Sequence, residues 1–171
     1  MKTRDLALCG LCAAGMAVCA WITVPIGDIG ITMQTFGLFL TLGLLGGGKG
    51  FLACVTYLAL GAIGLPVFSG FKAGLGVLLG PTGGYILGFL AACPVYWLVT
   101  ARGKGKKWLG MLLGLLACYA FGSLWFWLVY LPDGGLWAVL VKCVLPFILP
   151  DLCKMVLALG LARRLAPALK A

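Results

Sequence analysis

Six apolar stretches, at about residues 6–24, 35–47, 51–65, 81–100, 108–130 and 136–165, are separated only by short gaps. The hydrocarbon core of a bilayer is about 30 Å thick, and a helix crosses it with roughly 20 apolar residues. Lipid offers no hydrogen bonds, so a crossing backbone must satisfy its own polar groups, which a helix does. Six spans take about 120 residues of a chain of 171. The runs therefore predict an all-α integral membrane protein of six transmembrane helices, a single domain over residues 1–171 with no room for a soluble one. Composition agrees. Hydrophobic residues make up 63% and charged residues 10%, against about 45–50% and about 25% in a soluble domain.

The net charge of +9 suggests a nucleic-acid binder until its distribution is read. Lys2, Arg4, Lys49, Arg102, Lys104, Lys106, Lys107, Arg163, Arg164 and Lys170 fall on one side of the expected topology. The outer loops hold only Lys72, while Lys142 and Lys154 lie within the last run. This is the positive-inside pattern, which places the N- and C-termini in the cytoplasm and the chain in the cell membrane as a multi-pass protein. It leaves no reason to invoke nucleic acid. The basic start also resembles a signal peptide, but five further spans favour an uncleaved first helix.

Several chemistries are excluded by what the chain lacks. It has no histidine and no glutamate, so His-based catalysis and His-ligated metal are ruled out. No nucleophile stands beside a base, so no enzyme is expected. Eight cysteines mostly sit inside apolar runs, where they act as small hydrophobes. Cys9 and Cys12 match a CxxC redox motif by letters alone, without its βαβ context. Gly43 to Lys49 fits GxxxxGK, but Gly50 follows where a Mg²⁺-binding Ser or Thr is needed, and no strand precedes it. No cofactor or metal is implied. The chain binds or conducts something, and its energy comes from a gradient or a partner.

The stretch at 61–88 is apolar yet rich in glycine, each of which costs a helix interior about 1 kcal/mol relative to Ala. Irregular backbone at membrane depth must be buried in protein or line a cavity. Glycine also admits close approach of a ligand, so the stretch reads either as a pocket wall at the membrane edge or as a site of tight helix packing. Gly80-Pro81-Thr82 reads as a helix start with Pro at the first helical position, attractive to an anion. Gly84 and Gly88 then share one face. On the first helix Gly10 with Ala14, and Ala13 with Ala17, lie four apart and admit a close neighbour, internal or external. A tight turn is expected at 46–50, and breaks in the last run at Pro146 and Pro150. Just after Pro150, Asp151 and Lys154 lie three apart on one helical face in an apolar setting. Such a pair is either a structural ion pair or a ligand site. Gln34 at the mouth of the second span, Lys72 in an outer loop and Tyr85 one turn into the fourth offer further polar groups.

The motifs Gly64-Leu-Pro-Val-Phe68, Gly74-Leu-Gly-Val-Leu-Leu-Gly-Pro-Thr-Gly-Gly-Tyr85, Ile31-Thr-Met-Gln-Thr35 and Pro146-Phe-Ile…Asp151-Leu-Cys-Lys154 occur in this order. With them the whole chain resembles the BioY family, the biotin-specific substrate-binding (S) components of energy-coupling factor (ECF) transporters. It departs from the family's usual pattern at Gly30, where Pro is usual, at Lys72, where a small residue is usual, and at Leu149-Pro150, where Pro-Gly is usual. The resemblance implies the S-component fold, an outward pocket capped by outer loops, and biotin as ligand. It implies partners too: a transmembrane coupling protein with two ATPases, docked on Gly10, Ala13, Ala14 and Ala17. Asp151 would accept from the ureido N–H groups, and Lys154 would meet the carboxylate or the ureido carbonyl. Thr32, Gln34 and Tyr85 would add polar contacts, while Gly70, Gly74 and Gly76 would let backbone approach the ring. The alternatives are an S component for another small vitamin and a self-sufficient secondary transporter. The latter usually carries internal repeats, and none is convincing here.

Overall fold

The computed structural model describes residues 2–24, 30–101, 103, 106–132 and 135–169. Half of the first outer loop (25–29), residues 133–134 of the last outer turn, and Arg102, Lys104 and Lys170 of the basic set lie outside the described residues. The helices are α1 (Thr3–Trp21), α2 (Gln34–Ala62), α3 (Leu75–Leu78), α4 (Gly83–Ala101), α5 (Lys107–Tyr130), α6 (Leu136–Cys143) and α7 (Leu145–Leu165). Two short strands, β1 (Thr23–Val24) and β2 (Ile31–Thr32), pair antiparallel, and a 3₁₀ turn covers Ser69–Phe71. Five helices, α1, α2, α4, α5 and α7, are long and apolar enough to cross a membrane. Leu11, Trp97, Leu98, Leu116, Leu128 and Leu157 are exposed on their outer faces. So much exposed apolar surface suits lipid rather than water, and the chain is a multi-pass membrane protein.

The 29 residues of α2 contain the second and third expected spans. The amide nitrogen of Gln34 lies 2.6 Å from the hydroxyl of Tyr57, although 23 residues of straight helix would hold them about 34 Å apart. The run must therefore fold back. It does so at Gly46 (φ 77°, ψ −179°), a backbone region that is essentially glycine's alone. The result is two antiparallel arms, residues 34–45 and 47–62. One glycine thus makes the turn expected over residues 46–50. Gly47 serves packing instead, since a Cβ there would collide with Trp97. The Lys107 ammonium donates to the Gly43 carbonyl at 3.1 Å, capping the first arm near the break.

The other breaks also move. Val144 (φ −120°, ψ −53°) separates α6 from α7, and Pro146 sits in the first turn of α7, where a missing N–H leaves nothing unsatisfied. Pro150 lies inside α7, so Asp151 and Lys154 ride a continuous helix rather than following a break. The helix expected from Pro81 begins at Gly83, because Gly83 N–H first closes a turn onto the Gly80 carbonyl at 2.9 Å.

Helices α4 and α5 form a glycine seam. A Cβ on Gly84 would collide with Trp125, and one on Gly122 with the Tyr85 ring. A Cβ on Gly88 would lie 3.0 Å from the Cys118 carbonyl oxygen, and one on Gly114 3.1 Å from that of Ala92. The shared face of Gly84 and Gly88 is thus a packing face. The two small-residue pairs of α1 part company: Ala13 and Ala17 are buried, whereas Gly10 and Ala14 are exposed. At 100° per residue the four share one stripe about 100° wide, and that stripe straddles the edge between the buried and the exposed side of the helix. At one end of the bundle Arg4 donates to the Leu169 carbonyl and Lys49 pairs with Asp5. At the other, Trp21 donates to the Pro66 carbonyl at 2.8 Å and stacks on Phe71.

Candidate functional site

At the Trp21 end, a cavity of about 240 Å³ opens between the β2 strand, the 69–72 turn and helices α4 to α7. Asp151 and Lys154 stand on its α7 wall with side chains only 3% and 7% exposed. Their spacing, one turn apart on α7, brings the ammonium to 2.7 Å from Asp151 Oδ1. The same ammonium donates to the Thr32 carbonyl at 2.7 Å and to Thr35 Oγ1 at 3.3 Å. Thr35 in turn donates to Asp151 Oδ1 at 2.8 Å, and the Tyr119 hydroxyl to Oδ2 at 2.6 Å. All three donors of the lysine are engaged, and the carboxylate has three of its roughly four acceptor sites filled. Burying an isolated charge is prohibitive, whereas a hydrogen-bonded pair with zero net charge persists.

A second polar group is set by α2. The Gln34 amide nitrogen donates to the Tyr57 hydroxyl, which donates to the Val67 carbonyl at 3.1 Å. This leaves Gln34 facing the cavity with its amide nitrogen engaged. The Tyr85 and Ser123 hydroxyls lie 3.2 Å apart on the α4–α5 side. Between these groups Val77, Ile86, Phe89 and Phe147 form apolar walls. An acceptor beside a donor, in an apolar slot, suits a small ligand with an apolar body and adjacent N–H and C=O groups.

Of the expected site residues, Thr32, Gln34, Tyr85, Asp151 and Lys154 line the cavity together. Gly70, Gly74 and Gly76 are not among its lining residues. They shape their own loop instead. Gly74 (φ 89°, ψ 167°) precedes α3 and donates to the Gly61 carbonyl at 2.8 Å, Gly70 turns the chain at φ 69°, and Gly76 lies within α3. Sequence reasoning missed two partners of the charged pair. Thr35 closes the Ile31–Thr35 motif, and no local signal marks it as a partner of the pair. Tyr119 sits in an unbroken apolar run, where its one signal was a phenol at membrane depth. Among the described residues, no cluster of three His, Cys, Asp or Glu could hold a metal, and the eight cysteines are free.

A sequence profile described as the BioY family matches residues 1–171. The probable biotin transporter BioY of Pyrococcus horikoshii is 40% identical over 96% of this chain and 98% of its own length. The biotin transporter BioY of Thermotoga maritima is 40% identical over 95% of each. The crystal structure of an S-component for biotin from an ECF-type ABC transporter superposes with a TM-score of 0.83 at 27% identity, over 96% of this chain and 94% of that one. The S component of a bacterial ECF transporter shares the fold at a TM-score of 0.64 and 16% identity, over 100% of both.

Proposed function

The chain belongs to the BioY family, and on that premise we propose that it is the biotin-capturing S component of an ECF-type ABC transporter in the cell membrane. The observation that carries this reading is the buried Asp151–Lys154 couple on the cavity wall, braced by Thr32, Thr35 and Tyr119. Biotin joins an apolar bicycle to a cyclic urea and a carboxylate. Asp151 accepts from the ureido N–H groups, and Lys154 offers a cation to the ureido carbonyl or the carboxylate. Thr32, Gln34 and Tyr85 supply the remaining polar contacts, and the apolar walls take the bicycle. In this reading the two arms of α2 are separate crossings, which brings the number to six. The end holding Asp5, Lys49 and Arg163 then faces the cytoplasm, as basic residues favour.

Energy comes from separate chains, a transmembrane coupling protein with two ATPases. They dock on α1, on the small residues that face outward. Ala13 and Ala17 pack inward, so that surface centres on Gly10 and Ala14.

Removing one partner of a buried, hydrogen-bonded charge pair costs about 2–5 kcal/mol. Asp151→Ala and Lys154→Ala are each expected to weaken biotin binding by more than about tenfold. The measurement is a biotin titration of the purified protein followed by tryptophan fluorescence. Unchanged affinity in both variants rejects the site, and absence of binding by the unmodified protein rejects the ligand.

A further inference from the structure

Building on the biotin reading, we infer that Lys72 binds the ligand's carboxylate, so that the cyclic urea points inward to Asp151 and Lys154 and the acid tail lies at the cavity mouth. Asp151 Oδ1 is 2.7 Å from the Lys154 ammonium, and the pair carries no net charge. A carboxylate brought to that ammonium would press against Asp151, and two carboxylates sharing a site repel strongly. With the Lys154 donors already engaged by Asp151, Thr32 and Thr35, any ligand must displace Thr32 or Thr35 to reach the ammonium, and a carboxylate would do so as an added negative charge. A cyclic urea has the opposite chemistry, an N–H beside a C=O on one edge. It can give its proton to Asp151 and replace the Thr32 carbonyl or Thr35 hydroxyl as the partner of Lys154, without introducing charge.

The anionic end needs a cation elsewhere in the same cavity, and Lys72 lines it. The ion pairs among the described residues are Lys49–Asp5 and Lys154–Asp151, so no described carboxylate competes for Lys72. Its backbone is held in place. Phe68 N–H donates to the Lys72 carbonyl at 3.1 Å, closing a small antiparallel bridge around Gly70 and Phe71, both at positive φ. Phe68 is fully buried, edge-on to Tyr57 at 5.6 Å, and Phe71 stacks on Trp21 at 4.9 Å. The ammonium therefore extends from an anchored turn while remaining exposed, as a group that meets an anion arriving from water should be. Lys72 is also the single basic residue of the outer loops in the expected topology, and a cation at the cavity mouth attracts an incoming anion.

The test compares biotin with biotin amide, which has the same shape and no charge. Both are titrated into the purified full-length protein and into its Lys72→Ala, Lys72→Arg and Lys154→Ala variants. The unmodified protein and Lys72→Arg should prefer biotin by about tenfold, the size of one charge-assisted hydrogen bond. Lys72→Ala should lose that preference while binding the amide as before, and Lys154→Ala should weaken both ligands alike. Lys72→Ala that keeps the full preference, or that weakens both ligands equally, overturns the assignment and leaves the biotin reading standing. So does a preference abolished by Lys154→Ala instead. Failure of the unmodified protein to bind either ligand overturns the underlying reading.

Discussion

Gly74 and Gly84 lie ten residues apart and answer opposite constraints. A Cβ on Gly84 would strike Trp125, while its backbone is ordinary helix. A Cβ on Gly74 would meet nothing within 4 Å, but its backbone sits at φ 89°, ψ 167°, where other residues are strained. The α4–α5 seam is thus limited by space and the outer loop by shape. The difference matters for function. The seam makes a stiff wall that places Tyr85 and Tyr119, whereas the loop carries Lys72 and Ser69 to the cavity on a self-supporting turn.

The comparison breaks most visibly at the seam. Gly84→Val should cost about 3 kcal/mol or more, since overpacking here meets the root of a large side chain. Thermal melting of the detergent-solubilised protein checks this, and a melt like that of the unmodified protein would refute a space-limited seam. Gly74→Ala should cost less, about 1–3 kcal/mol of backbone strain, read in the same melt. Because Gly74 does not line the cavity, the folded variant should keep its biotin affinity, and a large loss would return that glycine to the site. The smallest effect on the chain itself is expected on α1. Gly10 is exposed with open space around its Cβ position, so Gly10→Leu should change stability by no more than about 0.5 kcal/mol and leave biotin titration intact. Uptake by cells carrying the energising chains should nevertheless fall, and unchanged uptake would move the docking surface elsewhere.

The apolar runs and the i, i+3 spacing of Asp151 and Lys154 were readable because they are local. Hydrocarbon thickness sets the first, and one helical turn sets the second. What stayed hidden depends on facing. A membrane helix that is apolar all round has no polar side to show which way it packs, so the inward Ala13 and outward Gly10 looked equivalent. Tyr119 was invisible for the same reason, since nothing in its run says that it faces Asp151 across the bundle. The break at Val144 rather than Pro146 follows from position: a proline within a first turn loses nothing, but its letter alone does not reveal which turn it occupies. Glycine misled in the loop because the residue has two uses, and only coordinates separate them.

One bond in the polar cluster links ligand and backbone. Lys154 holds the carbonyl of Thr32, which belongs to the β2 strand, and the hydroxyl of Thr35, which opens α2. A guest that claims this ammonium and leaves its bond to Asp151 in place takes the position of one of them, which ties occupancy to the posture of the 31–35 segment. A distance reporter across that segment is therefore expected to change on loading.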